Sequence, residues 1–229
     1  MMLAPRAESE GWSLTCVEPD PNMAELLRFK LSSHPELEAT VVVGGFERFS
    51  KEASGFSLLY AAQSWHWVEP SERGPAAARV LEPGGTVALV WNVARPHGGS
   101  LKKDLDAVYS AYGLASTHPT RPAASSSRPR PQPLTIALDD AAFRAYVAEL
   151  KATGLFSDYS IEAVAWSETY DTDEWITLLE THSDHRMLEP VGRGRLLEEV
   201  RGVVDAHGGV VEVSYDAVAI LACRGRPDA

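Results

Sequence analysis

The chain has 229 residues, the length of one large domain or of one domain with a small appendage. Its 45% hydrophobic and 23% charged residues are typical of a globular protein and exclude wholesale disorder. Asp and Glu outnumber Lys and Arg by 32 to 21, and the net charge of -11 repels phosphate backbones and anionic lipid headgroups. We therefore expect no nucleic acid and no membrane among its partners.

Only two cysteines occur, Cys16 and Cys223, and each lies within a short apolar run. A disulfide framework and a metal site built from cysteines are therefore excluded by number, which fits a reducing compartment. The N-terminus has no basic region followed by an apolar run, and nowhere do about 18 apolar residues follow one another. We predict a cytoplasmic protein.

The first part of the chain alternates strand and helix patterns. Residues 13–17 form an apolar run of β-favouring residues, and in the acidic turn that follows, Asp20 can cap a helix beginning at Pro21. Further apolar runs have the length of buried strands, and an Ala-rich segment between two of them suits a helix. The strands are predicted at residues 39–43, 56–62 and 86–91, and the Ala-rich helix at 75–81. This alternation predicts an α/β fold with a doubly wound, mostly parallel sheet.

Beyond Val93 the pattern becomes more helical. Residues 101–112 repeat apolar side chains at the helix period, and residues 116–133 are a Pro/Ser-rich segment that we expect to be an exposed linker. The later elements are a helix capped by Asp139 or Asp140 and ended by Gly154, a strand at 161–170, helices at 175–180 and 191–206, and apolar strand segments at 210–214 and 217–223 with a bend at Tyr215–Asp216. We expect the helices of this part to form a cap over the carboxyl ends of the strands.

Two carboxyl ends of the predicted strands carry residues suited to a nucleoside. Ligands of open α/β sheets bind beyond these ends. Glu18 ends the first strand, where its two oxygens can accept both hydroxyls of a ribose, although a solvated turn acid would look the same in the sequence. After the second strand, Gly45 lets the backbone approach a ligand, and Phe46 can lie against a flat base or pack in the core.

The third carboxyl end is the most unusual segment of the chain. Small residues in AAQS are followed by Trp65, His66 and Trp67. Aromatic faces attract a cation such as a sulfonium by about 0.5 to 2 kcal/mol, depending on desolvation. The alternative is packing, which we expect for Trp65, while His66 and Trp67 could line a pocket.

Three segments together resemble a known family. VEPDPNM, FSLLYAAQSWHWVEP and ARVLEPGGTVALVWN, in this order and spacing, resemble the class I S-adenosylmethionine-dependent methyltransferases that act on small molecules. The likeness spans about residues 13–93, and THSDHRML and DAHGGVVEVSYDAVAILACR resemble the tail of the same branch. Two positions depart from the pattern, because Gly45 and Ser57 stand where acidic residues are frequent in the family.

The resemblance implies a Rossmann-like methyltransferase fold, S-adenosyl-L-methionine as the cofactor and a small-molecule methyl acceptor. It also implies which residues bind the cofactor: an acid for the ribose, a segment for the adenine and a segment for the methionine part. These are Glu18 with Pro19 beside it, then Gly45, Phe46 and Glu47, and then Ala62, Gln63 and Ser64.

The resemblance also implies an N-terminally incomplete fold. The family's first strand and glycine-rich loop should precede Glu18 by roughly 30 residues, and residues 1–17 do not contain them. Three explanations stay open: a start assigned too far downstream, a truncated and inactive relative, or a chain completed by a partner. We expect a single domain over 1–229, which comprises a cofactor-binding part at 1–93, a helical insertion at 94–160 and C-terminal strands and helices at 161–229.

Three histidines are candidates for a general base, although methyl transfer from a sulfonium depends mainly on alignment and water exclusion. They are His66, His182 and His185, and the sequence does not rank them. His182 and His185 lie close to Asp184, which is compatible with a metal site, with lining of a substrate pocket or with plain surface. Since no further His or Cys cluster is near in the sequence, we predict no metal.

Two other function classes stay open. A catalytically inactive methyltransferase remnant could serve as an interaction or regulatory subunit, and the absent glycine-rich loop favours it. A nicotinamide-dependent oxidoreductase also uses an acid after its second strand, but residues 61–67 suit it poorly. A homo-oligomer is compatible with each of these functions.

Overall fold

The computed structural model describes residues 4–50, 52–94, 99–114 and 141–226. The chain divides into two compact units. Unit 1 comprises Met1–Val90, Asp140–Ile161 and Ala219–Ala229, and unit 2 comprises Trp91–Asp139 and Glu162–Val218. The predicted linker at 116–133 and the predicted caps Asp139 and Asp140 lie outside the described residues.

The described strands form two sheets. In chain order the strands are β1 (Leu14–Glu18), β2 (Ala39–Val43), β3 (Phe56–Ala62), β4 (Leu81–Ala94), β5 (Phe156–Asp171) and β6 (Val210–Arg224). Strands β1 and β2 pair in parallel in a two-stranded sheet, with Glu18 opposite Val43 at its carboxyl end. The other sheet has the order β3-β4-β6-β5, and β3 and β4 are parallel.

Helices connect these strands in the alternating order that the sequence predicts. They are α1 (Ala4–Glu10), α2 (Pro21–Leu31), α3 (Phe46–Phe49), α4 (Pro70–Val80), α5 (Ser100–Ala111), α6 (Ala141–Ala152), α7 (Thr172–Glu180), α8 (Ser183–Arg186) and α9 (Pro190–Ala206). A 3₁₀ turn, Trp65–Trp67, lies between β3 and α4. No helix within the described ranges is long and apolar enough to cross a membrane.

The junction between β1 and α2 has the predicted cap. The Asp20 carboxylate accepts the backbone N–H groups of Asn22 and Met23 at 2.7 and 3.2 Å, and Pro21 stands in the first turn. These two N–H groups lack partners within a helix, so the cap satisfies them and starts α2 directly after the strand. The strand therefore ends at Glu18.

Each unit has its own hydrophobic cluster. In unit 1, Ala4 and Ala7 of α1 and Leu31 of α2 pack with Leu37, and partly buried residues of β1 and β2 lie against them. In unit 2, the buried residues come from α5, α7, α9 and the first half of β6. They are Leu101, Leu105, Tyr109, Trp175, Ile176, Leu179, Leu196, Leu197, Val200, Val204, Val211 and Val213.

The prediction of buried strands is wrong for β2 and β3. No residue of either strand is buried, and none of β1 is, although all three runs are apolar. Within the described residues, β1 pairs only with β2, and β3 only with β4. An edge strand has one strand neighbour, whereas β4 lies between β3 and β6 and has Val87 and Leu89 fully buried.

Helix α4 and strand β4 begin earlier than predicted, for local reasons. Helix α4 begins at Pro70, five residues before the Ala-rich segment, because a proline suits the first turn of a helix. The predicted turn at residues 82–85 lies inside β4 as an irregularity, since Leu81 pairs with Phe56 and Thr86 pairs with Leu58. Gly85 is required there, because a Cβ would lie 2.9 Å from the Phe56 carbonyl oxygen.

The last strand is continuous, and the predicted bend corresponds to a change of phase. Buried and partly buried residues alternate along β6. Val211 and Val213 are buried at odd positions, and from Asp216 and Val218 onward the buried residues stand at even positions. Such a shift by one residue is typical of a β-bulge, which turns successive side chains to the other face without ending the strand.

Candidate functional site

Glu18 is held at the end of β1 by its own turn. Its Oε1 accepts the backbone N–H of Asp20 at 2.9 Å, and its backbone carbonyl accepts the N–H of Gly44 at 3.0 Å. The second bond joins the carboxyl ends of β1 and β2. A carboxylate offers about four acceptor sites on its two oxygens, so the contact with Asp20 leaves Glu18 able to accept hydroxyl groups.

The end of β2 combines two glycines with an aromatic side chain. Gly44 has φ of 154°, and a Cβ on Gly45 would lie 2.9 Å from Glu47 Oε2. Phe46 begins α3 and is half-buried. Glu47 Oε1 accepts the backbone N–H of Glu69 at 3.1 Å, which ties α3 to the start of α4. A ligand at this end would therefore meet main chain rather than side chains at Gly44 and Gly45.

The end of β3 contains a strained residue. Gln63 has φ of 52°, in the left-handed region that glycine adopts readily and other residues seldom do. Its backbone N–H donates to the Val90 carbonyl at 2.9 Å. Such strain persists only where the surroundings hold it, and it concentrates at ligand sites. The sequence singled out Gln63 by resemblance but carries no sign of this backbone conformation.

The 3₁₀ turn after Ser64 separates a buried indole from an exposed one. Trp65 is 2% exposed and packs with Phe46, with ring centroids 6.2 Å apart, so the 3₁₀ turn after β3 contacts α3, which follows β2. The indole N–H of Trp65 has no hydrogen-bond partner within the described residues. Trp67 is 77% exposed, and its ring centroid lies 5.0 Å from that of His66, which is also exposed.

The other two candidate histidines belong to unit 2. His185 on α8 is fully buried, and its Nε2 forms a hydrogen bond of 3.0 Å with the Tyr109 hydroxyl, where the two rings meet edge to face. The ring of His182 lies 5.9 Å from that of His185. Tyr109 is part of the hydrophobic cluster of unit 2, so His185 helps to satisfy a buried hydroxyl.

Metal-binding side chains are not grouped in the part of the chain that the structure describes. There, no three or more His, Cys, Asp or Glu residues are placed to hold an ion. The candidate site on unit 1 therefore consists of carboxylates, main-chain groups and aromatic rings: Glu18 and Pro19 after β1, Gly45, Phe46 and Glu47 after β2, and Ala62, Gln63 and Ser64 after β3.

Part of the chain matches a known family. Residues 2–89 match the family described as "Methyltransferase domain". Over 90 residues the chain is 34% identical to an uncharacterized methyltransferase of Mycobacterium tuberculosis. That match covers 39% of this chain and 35% of the relative, so the matched segment spans about a third of the relative's length.

Solved structures are similar over most of the chain. A Bacillus halodurans C-125 protein described as a methyltransferase has a TM-score of 0.50 at 12% identity, over 93% of this chain and 84% of its own. The phosphoethanolamine N-methyltransferase 2 of Haemonchus contortus, solved in complex with S-adenosyl-L-methionine, has a TM-score of 0.49 at 14% identity, over 97% of this chain and 46% of its own.

These findings bear out the resemblance to methyltransferases. The match of residues 2–89 to the methyltransferase domain family agrees with the resemblance to the class I S-adenosylmethionine-dependent methyltransferases. The chain has the Rossmann-like α/β fold of methyltransferases, as the alternation of strands and helices predicted.

Proposed function

We propose that this chain binds S-adenosyl-L-methionine and transfers its methyl group to a small-molecule acceptor. The observation that carries the proposal is the set of contacts between the segments that follow three strands of unit 1. The Glu18 carbonyl joins the ends of β1 and β2, and the contact between Phe46 and Trp65 joins the segments that follow β2 and β3. All of these residues lie within the methyltransferase domain match.

The chemistry of these residues fits the cofactor. Glu18 offers carboxylate oxygens to a ribose diol, and Gly44 and Gly45 offer open main chain beside the ring of Phe46, which suits a flat base. Ala62 and Ser64 are small and exposed, so the backbone at the end of β3 is accessible to the methionine part. The indole N–H of Trp65, buried without an acceptor among the described residues, is a further unused donor at this end of the sheet.

When bound, S-adenosyl-L-methionine supplies a methyl group on a sulfonium, and the chain has to orient that group and exclude water. We propose that Gln63 and Ser64 orient the methionine part and that the exposed ring of Trp67 covers this region. Of the three histidines, we propose His66 as the group that accepts the proton of an acceptor hydroxyl or amine, because it is exposed and only two residues from Ser64. His185 is buried against Tyr109, which favours a packing role.

A small-molecule acceptor agrees with the composition. The net charge of -11 opposes nucleic acid and anionic lipid surfaces, whereas a neutral or cationic small molecule meets no such repulsion.

Calorimetric titration with two cofactors tests the proposal. S-adenosyl-L-methionine should bind with a Kd in the micromolar range, about -8 kcal/mol, and should raise the melting temperature because it binds the native state. NADH serves as the matched nucleotide control and should not bind. Binding of NADH alone would support an oxidoreductase instead, and binding of neither would support an inactive methyltransferase remnant.

A further inference from the structure

Arg73 on α4 is a buried cation behind the 3₁₀ turn. Arg73 is only 4% exposed, and arginine is seldom so deeply buried unless its charge is paired. The guanidinium donates from Nε to Glu149 Oε2 at 2.7 Å and from Nη2 to Glu149 Oε1 at 2.5 Å. This fork-to-fork geometry fixes the plane of the guanidinium, because two parallel bonds allow one orientation.

The remaining nitrogen of Arg73 faces the 3₁₀ turn. Nη1 lies 3.5 Å from the Trp65 carbonyl oxygen and 3.4 Å from the Val68 carbonyl oxygen. These two carbonyls bracket the turn, since Trp65 is its first residue and Val68 directly follows its last. One buried cation therefore holds both ends of the segment that follows Gln63 and Ser64.

Helix α6 supports the guanidinium from outside the matched domain. The ring of Tyr146 lies 4.9 Å from the guanidinium carbon, and Glu149 is on the same helix. Gly74 permits the close approach of α4 to the end of α6, because a Cβ at that position would lie 2.8 Å from Thr153 Cγ2. Tyr146 and Glu149, which lie about one turn apart on α6, thus both contact Arg73.

We propose that Arg73, oriented by Glu149, is a positioning residue for the cofactor site. By fixing the 3₁₀ turn it holds the main chain at Gln63 in its strained conformation, and with it the backbone from Ala62 to Ser64. The inference rests on the proposed function, in which this backbone contacts the methionine part of the cofactor. Neither Arg73 nor Glu149 touches the cofactor itself.

The test uses Glu149→Gln, which keeps the shape of the side chain but replaces one acceptor by a donor and removes the charge. Glu149 is 33% exposed, so water can reach the altered group and the fold should survive. Glu72→Gln is the matched control on α4, because Glu72 lies 3.7 Å from Arg79 on an exposed face. Arg73→Lys is a second variant that keeps the charge and loses the fork.

Two readouts separate positioning from simple stability. Amide hydrogen exchange without ligand should become about tenfold faster at residues 63–68 in Glu149→Gln and Arg73→Lys, and unchanged in Glu72→Gln. The Kd for S-adenosyl-L-methionine should rise about tenfold in the same two variants, as for the loss of one charge-assisted hydrogen bond.

Each outcome decides one of the two proposals. A lower melting temperature with parental exchange at residues 63–68 and parental affinity would overturn the positioning role. If the parent chain did not bind S-adenosyl-L-methionine at all, the proposed function would fail. The exchange measurement would then still show whether Arg73 fixes this turn.

Discussion

Among the proposed site residues, we expect Glu18 to contribute most to the binding free energy of S-adenosyl-L-methionine. Its replacement by Ala should weaken S-adenosyl-L-methionine binding by about 1.5 to 3 kcal/mol, the scale of hydrogen bonds to a charged group. Calorimetric titration measures the change, and Glu25→Ala, which removes an exposed acid from α2, is the control. Equal affinity of Glu18→Ala and the parent would remove Glu18 from the site. If Glu18→Ala has the melting temperature of the parent, the lost hydrogen bond with Asp20 does not destabilise the fold and does not explain a weaker affinity.

Gln63 offers a test of strain. Gln63→Gly should raise the free energy of unfolding by up to about 1 kcal/mol, because glycine adopts a positive φ at no steric cost. Affinity for S-adenosyl-L-methionine should fall, since the Gln side chain is lost at the proposed site. Asp158, also at φ of 52°, is the matched control, and Asp158→Gly should change stability alone. Urea unfolding and calorimetry together check this, and an unchanged affinity for Gln63→Gly would confine Gln63 to a structural role.

At the scale of elements, β1 and β3 combine apolar sequence with incomplete burial. The backbone N–H and C=O groups of a strand point alternately to its two sides. A strand with a single neighbour therefore leaves about half of these groups without a partner in another strand. Amides of β1 should therefore exchange with solvent faster than those of β4, which lies between two strands. Hydrogen exchange followed by mass spectrometry measures this. Equal protection of β1 and β4 would indicate that β1 has a second strand neighbour.

The elements show what local sequence can predict. Strands at residues 39–43 and 56–62 have the predicted bounds, and the Asp20 cap is confirmed, because each depends on neighbouring residues alone. The burial of β2 and β3 was predicted wrongly because burial depends on which strands and helices lie alongside. The pairing of Arg73 with Glu149 joins residues 76 positions apart, and nothing local to either residue indicates the other.

The candidate site was predictable to a similar extent. Glu18 and Phe46 were singled out because they follow apolar runs, and the structure places them at the ends of β1 and β2. The contact between Phe46 and Trp65 was not predictable, since it requires α3 and the 3₁₀ turn, which are distant in the sequence, to meet. Their roles in binding remain predictions that the Glu18 and Gln63 variants test.

At the scale of the whole molecule, the predicted cofactor residues all belong to unit 1, whereas His182 and His185 belong to unit 2. Unit 1 contains the segment that matches the methyltransferase domain together with α6 and the end of β6. The match covers 35% of the Mycobacterium tuberculosis relative. The methyltransferase activity of the whole protein is therefore a proposal, which is based on the residues of unit 1 and on the fold.

Hydrogen exchange of the whole chain with and without S-adenosyl-L-methionine tests the central claim most directly, because it maps where the cofactor binds as well as whether it binds. We predict that saturating cofactor slows exchange at residues 18–20, 44–47 and 62–67 of unit 1 and leaves residues 182–185 unchanged. Slower exchange confined to other segments, or none at all with cofactor in excess, would contradict the proposed site.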